Sequence, residues 1–207
     1  METLTGAIQY EWKLRGELVT ALAIDPSESL VAVGYETGVV EAIGLSDGHR
    51  VFSQTAHNAP VKLLKFSPSG EYLVSGLGLM ETVVTTRAVP RRDPTPQRLT
   101  VWQPRLGRRH FEINDAVGSP QSVSFNSSET RLALAKVGGS LEVYDTMLGV
   151  RLLTFDDEHC CPASAVSFHP RDDDLLVSAS SCTQFLNVWS GASQVPIEDA
   201  DALPDAK

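Results

Sequence analysis

The chain counts in units of about forty residues, and this limits its folds more than any other feature. Four segments share a short alternating apolar stretch, an anchor residue and then a turn: Val19–Pro26, Val61–Pro68, Gln121–Ser127 and Ala165–Pro170. The anchors Ile24, Phe66, Phe125 and Phe168 stand 42, 59 and 43 residues apart. Each is followed by a second apolar stretch ending in a small residue (Gly34, Gly76, Ala135, Ala179) and a third ending in a bulky one (Ile43, Trp102, Tyr144, Trp189). In the second unit the third stretch is delayed by an insert, 79–98; with that lengthening removed the period becomes uniform. Gly48, Gly107 and Gly149 each lie five residues past the bulky position and open a fourth stretch. Gly6 has the same spacing to the next anchor, so residues 7–12 read as a fourth strand whose own first three strands do not precede it.

Alternation with period two, runs of four to six residues and turns every eight to twelve exclude a helical solenoid. A repeat of 40–45 residues with four strands is the mark of a β-propeller blade. The reading is therefore all-β, four four-stranded antiparallel sheets forming a partial propeller or a small closed ring. Its boundaries are an outer strand at 7–12, blade 1 at about 19–53, blade 2 at about 61–113 with the insert 79–98, blade 3 at about 121–155 and blade 4 at about 163–189. All of this lies within 1–190, and an acidic tail follows at 191–207.

These residues resemble the WD40 family over about Gly6 to Ser190. The best-matching pieces are His57-Asn58-Ala59-Pro60-Val61, Leu73-Val74-Ser75-Gly76, Leu99-Thr100-Val101-Trp102, Leu141-Glu142-Val143-Tyr144-Asp145 and Leu186-Asn187-Val188-Trp189. The resemblance implies a buried hydrogen-bond network of histidine, Ser/Thr, aspartate and tryptophan in each complete blade. Blade 2 offers His57, Ser75 and Trp102, and blade 4 offers Ser178 and Trp189. Blade 3 offers Tyr144 and Asp145, the latter the only match to the second residue of the Trp-Asp pair. The turn aspartate is missing from all four, so apolar packing between blades carries most of the stability. Family members usually have seven or eight blades, which implies a truncated array; a four-blade ring or pairing with another copy is the alternative. The texture of the first repeat is also similar to WD40 arrays that follow NACHT-type NTPase modules in fungal STAND proteins, which makes a sensor portion of such a protein the second reading.

Chemical motifs are sparse. Gly76-Leu77-Gly78-Leu79-Met80-Glu81 begins like a dinucleotide loop but lacks its last glycine, and there is no P-loop. Cys160 and Cys161 are adjacent, with no C-x-x-C and no zinc spacing to His159 or His169. No G-x-S-x-G elbow supports a propeller-based hydrolase, the third reading. No catalytic residue, metal or cofactor is expected, and the chain is read as a non-enzyme. Trp102-Gln103-Pro104-Arg105 only loosely matches the Trp-Asp-x-Arg motif of some ubiquitin-ligase receptors in the family.

Charge is the remaining signal. A net charge of −9 argues against nucleic acid as a partner, and no apolar run approaches the ~18 residues of a membrane span. With no secretion signal and three unpatterned cysteines, the expected compartment is cytoplasmic or nuclear. Against that background, Arg87 to Arg109 holds seven arginines and one acid, Asp93. Guanidinium forks bind carboxylate and phosphate bidentately. Arg87, Arg91, Arg92, Arg98 and Arg105 are thus the candidate contacts for a protein or peptide partner bearing acidic or phosphorylated groups. Ten acids and two bases between Asp156 and Lys207 form the opposite pole, a solubilising surface.

Overall fold

The computed structural model describes residues 8–77, 97–115, 120–136, 140–156, 163–180 and 186–191. Blade 1 consists of β1 (Val19–Ile24), β2 (Leu30–Tyr35), β3 (Val39–Gly44) and β4 (Arg50–Thr55); blade 2 of β5 (Val61–Phe66), β6 (Leu73–Leu77), β7 (Gln97–Gln103) and β8 (Arg108–Asp115). Blade 3 is β9 (Pro120–Phe125), β10 (Arg131–Lys136), β11 (Ser140–Asp145) and β12 (Arg151–Asp156). Blade 4 is β13 (Ala163–Phe168), β14 (Leu176–Ser180) and β15 (Leu186–Trp189). Each sheet is an antiparallel meander in chain order. The only helical turn among the described residues is Pro104–Leu106, too short to cross a membrane.

The repeat read from the sequence is a row of cross-strand partners. Ile24, Val31 and Ile43 align in blade 1, as do Phe66, Leu73 and Trp102 in blade 2. Phe125, Leu132 and Tyr144 align in blade 3, and Phe168, Leu176 and Trp189 in blade 4. Successive side chains of a strand point to opposite faces, so each blade has one row toward the preceding blade and one toward the next. Trp102 and Leu73 pack against Ala32, Val40 and Ala42 of blade 1. Phe125, Leu132 and Tyr144 pack against Val74, Leu99 and Val101 of blade 2. Val166, Phe168 and Leu176 pack against Ala133, Leu141 and Val143 of blade 3. The core is therefore three apolar layers between four sheets. Gly48, Gly107 and Gly149 take left-handed φ of 67°, 62° and 70° in the turns that open the outer strands, a conformation that costs glycine least.

Three expectations need correction. The fourth sheet has three strands, not four, among the described residues. Residues 8–12, expected as an outer strand, form no ladder. The segment instead passes along blade 1: the Trp12 ring lies against Gly48, Leu14 joins the apolar cluster of Val33, Tyr35 and Ile43, and Arg15 reaches Ser53. A strand needs a partner's free edge, and among the described residues no third strand lies beside this one. The insert is also shorter than read, since β7 starts at Gln97 and takes in Arg98.

Candidate functional site

His57 precedes β5, Ser75 lies on β6 and Trp102 on β7, so the blade 2 meander brings them together across its sheet. Trp102 Nε1 donates to Ser75 Oγ at 2.8 Å, and His57 Nε2 lies 2.9 Å from the same oxygen. All three side chains are buried. A serine hydroxyl that accepts from the indole donates its own proton to Nε2, which puts the imidazole proton on Nδ1. Nδ1 is buried and has no hydrogen-bond partner among the described residues. Burial, then the charges of Arg98 and Arg109, push the His57 pKa down from 6.5 to about 4.

Those two arginines form an ionic cluster with Glu112 of β8. Arg98 lies 3.6 Å from the Glu112 carboxylate and Arg109 pairs with the same oxygen. Arg109 also sits 5.4 Å from the centre of the Trp102 ring, within cation–π range. Beside the cluster, Thr55, Ala56, His57, Asn58 and Arg98 line a depression of about 260 Å³. It opens at the end of the blade where β6 leaves and β7 returns. The chain between Leu77 and Gln97 carries Arg87, Arg91 and Arg92, which lie outside the described residues.

Arg105 is not part of this cluster. It follows β7 at the other end of the strand, seven residues from Arg98, roughly 20 Å away in extended chain. There it bridges blades, 3.3 Å from Asp25 Oδ2 and 2.9 Å from Ser27 Oγ. In blade 4, Trp189 Nε1 donates to Ser178 Oγ at 2.8 Å, the reduced form of the blade 2 network. In blade 3 the Tyr144 hydroxyl donates to Glu142 Oε2 at 2.6 Å. Asp145 accepts from the backbone N–H groups of Met147 and Leu148, both at 2.9 Å, and pairs with Arg131. The aspartate thus caps the turn into the outer strand.

Buried glutamates were missed by sequence reasoning. Glu41 and Glu142 occupy the same repeat position, two residues before the bulky one. Arg50 and Arg151, each the first residue of its outer strand, pair with them at 3.2 and 3.0 Å. Tyr35 donates to Glu41 at 2.7 Å, and Lys136 at the matching end of β10 pairs with Glu142. Blade 2 has Thr100 there, and Glu112 supplies the acid from the outer strand. The legible signal was an acid inside two otherwise apolar strands, Val39-Val40-Glu41-Ala42-Ile43 and Leu141-Glu142-Val143-Tyr144.

The family profile described as WD domain, G-beta repeat matches residues 48–79, from the turn before β4 to the end of β6. The matched stretch takes in β4 of blade 1 and the first two strands of blade 2. The match stops where the insert lengthens the β6–β7 turn, and the other sheets share its meander and register. The chain has the fold of WD40 β-propellers. It superposes on the β-propeller domain of Cps50 (Swd1) from Myceliophteria thermophila with a TM-score of 0.65 at 16% identity, covering 84% of this chain and 51% of that one. The computationally designed Ika4 gives a TM-score of 0.64 at 20% identity, covering 87% and 95% respectively. The designed Ika8 gives 0.62 at 21%, covering 83% and 45%. The chain thus spans about half the length of two of these chains. No curated protein matches its sequence. Propellers of the WD40 type are in general non-catalytic protein-interaction scaffolds.

Proposed function

We propose that this chain is a non-catalytic protein-binding module that takes an acidic or phosphorylated peptide at the insert end of blade 2. The observation carrying this reading is the depression lined by His57, Asn58 and Arg98, where His57 Nδ1 has no acceptor among the described residues. In complete WD40 blades a turn aspartate takes part in this network, and here the insert stands in its place. A partner carboxylate or phosphate adds a second negative group beside Glu112, the one acid that pairs with Arg98 and Arg109 among the described residues. Arg98 is held by Glu112 at only 3.6 Å and its side chain is 40% exposed, which leaves its fork open to a ligand. The sequence between Leu77 and Gln97 adds Arg87, Arg91 and Arg92, and basic charge attracts anionic partners in a salt-dependent way.

The test is fluorescence anisotropy with paired peptides, one acidic and one phosphothreonine-bearing, titrated into the full chain at two salt concentrations. Arg98→Glu is expected to raise Kd at least tenfold and flatten its salt dependence. Arg105→Glu, at the opposite end of β7, is expected to leave Kd unchanged. An Arg98→Glu chain that binds both peptides as tightly as the unaltered chain would remove the site from the account.

A further inference from the structure

Two buried polar atoms on the face that blade 2 turns toward blade 1 have no hydrogen-bond partner among the described residues, His57 Nδ1 and Thr100 Oγ1. Ser75 is common to both. Its Oγ accepts from Trp102 Nε1 at 2.8 Å and lies 2.9 Å from His57 Nε2, and Thr100 is its direct cross-strand partner. Side chains paired in this way share one face of the sheet, with Cβ atoms about 5 Å apart. His57 is 5% exposed and Ser75 and Thr100 are fully buried, so bulk solvent completes neither atom. An unmatched buried polar atom is costly, and one change of protonation matches both.

With the ring neutral, the Ser75 hydroxyl donates to Nε2 and the ring proton sits on Nδ1. With the ring protonated, Nε2–H donates to Ser75 Oγ, and the serine proton turns to another acceptor; Thr100 Oγ1 is the unmatched oxygen across the ladder. Nδ1–H then belongs to an imidazolium and requires an anion. Nδ1 is the ring nitrogen turned away from Ser75, and His57 lines the depression of about 260 Å³, so an anion has room there. The charged side chains acting on the ring are Arg98 of β7 and Arg109 of β8, both positive, and Glu112 of β8 pairs with those two. β6 contributes Ser75, and the β2–β3 turn contributes Gly38, whose carbonyl accepts the His57 N–H; Glu36 of that turn is exposed. Thr55, Ala56 and Asn58, beside the ring in the depression, do not titrate. Burial and the two arginines therefore keep the ring of the free chain neutral at pH 7.

We propose that the depression takes up a proton on His57 together with its partner's carboxylate, so that the site grips acidic segments more tightly as pH falls from 7 to 5. This rests on the anion-binding reading of the same depression. Linkage sets the sign: an anion beside the ring favours its charged form, and the proton in turn favours the complex by the same factor. An opposite charge within about 4–6 Å moves a pKa far enough to make binding about tenfold tighter at pH 5 than at pH 7. An aspartate carboxylate keeps its charge across this window. A phosphate monoester titrates near pH ~6 and takes up protons of its own, so the linkage belongs to the carboxylate.

The test is fluorescence anisotropy of a labelled aspartate-bearing peptide with the full chain at pH 7, 6 and 5 and constant ionic strength, beside calorimetry at pH 6 in two buffers of unlike ionisation enthalpy. The unaltered chain is expected to bind about tenfold more tightly at pH 5 than at pH 7 and to take up about half a proton per peptide at pH 6. His57→Gln, which stays neutral, is expected to show one Kd at all three pH values and no proton uptake. If that variant does not fold, the nitrogen NMR shifts of the His57 ring in the unaltered chain decide, because the peptide is expected to raise their titration midpoint. Binding without proton uptake, a Kd that is flat or weaker at pH 5, or a tightening that survives in His57→Gln would overturn the proton linkage and leave the anion site standing. No binding at any pH would overturn both.

Discussion

His57 links the candidate site to the stability of its blade through one titration. Its pKa is about 4 in the folded chain against 6.5 when unfolded, lowered first by burial and then by Arg98 and Arg109. Below pH 6.5 the unfolded chain takes up a proton that the folded chain refuses, so the contribution is whole above pH 6.5 and drains away as pH falls toward 4. Over that window the loss is about 3 kcal/mol. Urea unfolding at steps from pH 7 to 4 should show it, and His57→Gln should flatten the curve; an equal slope in that variant would place the effect elsewhere. Asp25 acts lower: although burial raises its pKa, bonds from the Leu30 N–H and the Ser27 and Ser29 hydroxyls bring it below 3.8. Its contribution is therefore lost only as pH falls below that value. At this scale the sequence was informative where a residue's role is local to its blade. His57, Ser75 and Trp102 were readable because repeat position dictates who meets whom. The Arg105–Asp25 bridge was not, since it joins turns 80 residues apart that no spacing rule relates.

Strands and turns show where the repeat is rigid. Gly38 turns β2 into β3 with a φ of 81°, and its carbonyl accepts from the N–H groups of both Ala56 and His57. A methyl group there would meet the His57 carbonyl oxygen at 2.0 Å. Backbone cannot step aside as a side-chain end does, so the turn of one blade fixes the loop that presents the next blade's histidine. Gly16 has a similar φ of 84° but open space around it. Gly38→Ala should thus cost well over the ~1 kcal/mol of left-handed strain alone, and Gly16→Ala about that strain and no more. Thermal melts of the two variants check this, and similar Tm losses would refute the clash. The fifteen strands were legible as elements because period-two patterning recurs at a fixed spacing from one turn to the next. The outer strand at 7–12 was misread for a physical reason. Its pattern is that of a strand, but a ladder requires a neighbouring edge, and pattern alone carries no information about neighbours.

The whole molecule is a line of nearest neighbours. Each apolar cluster between sheets spans one boundary. Polar ties reach the first inter-strand turn of each preceding blade: Arg105 to Asp25, Glu129 to Ser67 and Ser69, Asp173 to Ser127 and Ser128. Sequence order says which faces meet inside such a line and is silent about its ends, which is why closure was the question left open at the sequence level. Stability in an array of this kind is close to a sum of blade and boundary contributions. Blade 4 has one boundary within the chain and blade 2 has two. Phe168 is 5% exposed against Leu141 and Val143, and Phe168→Ala removes about 3–5 kcal/mol of packing. That loss should fall on blade 4, so amides of β13 to β15 lose exchange protection while those of β1 to β8 keep theirs. Phe66→Ala, of equal size at the boundary of blades 1 and 2, should instead divide the stack and expose blade 1. Hydrogen exchange distinguishes the cases, because uniform loss over all four blades in both variants would mean a single cooperative unit rather than coupled neighbours.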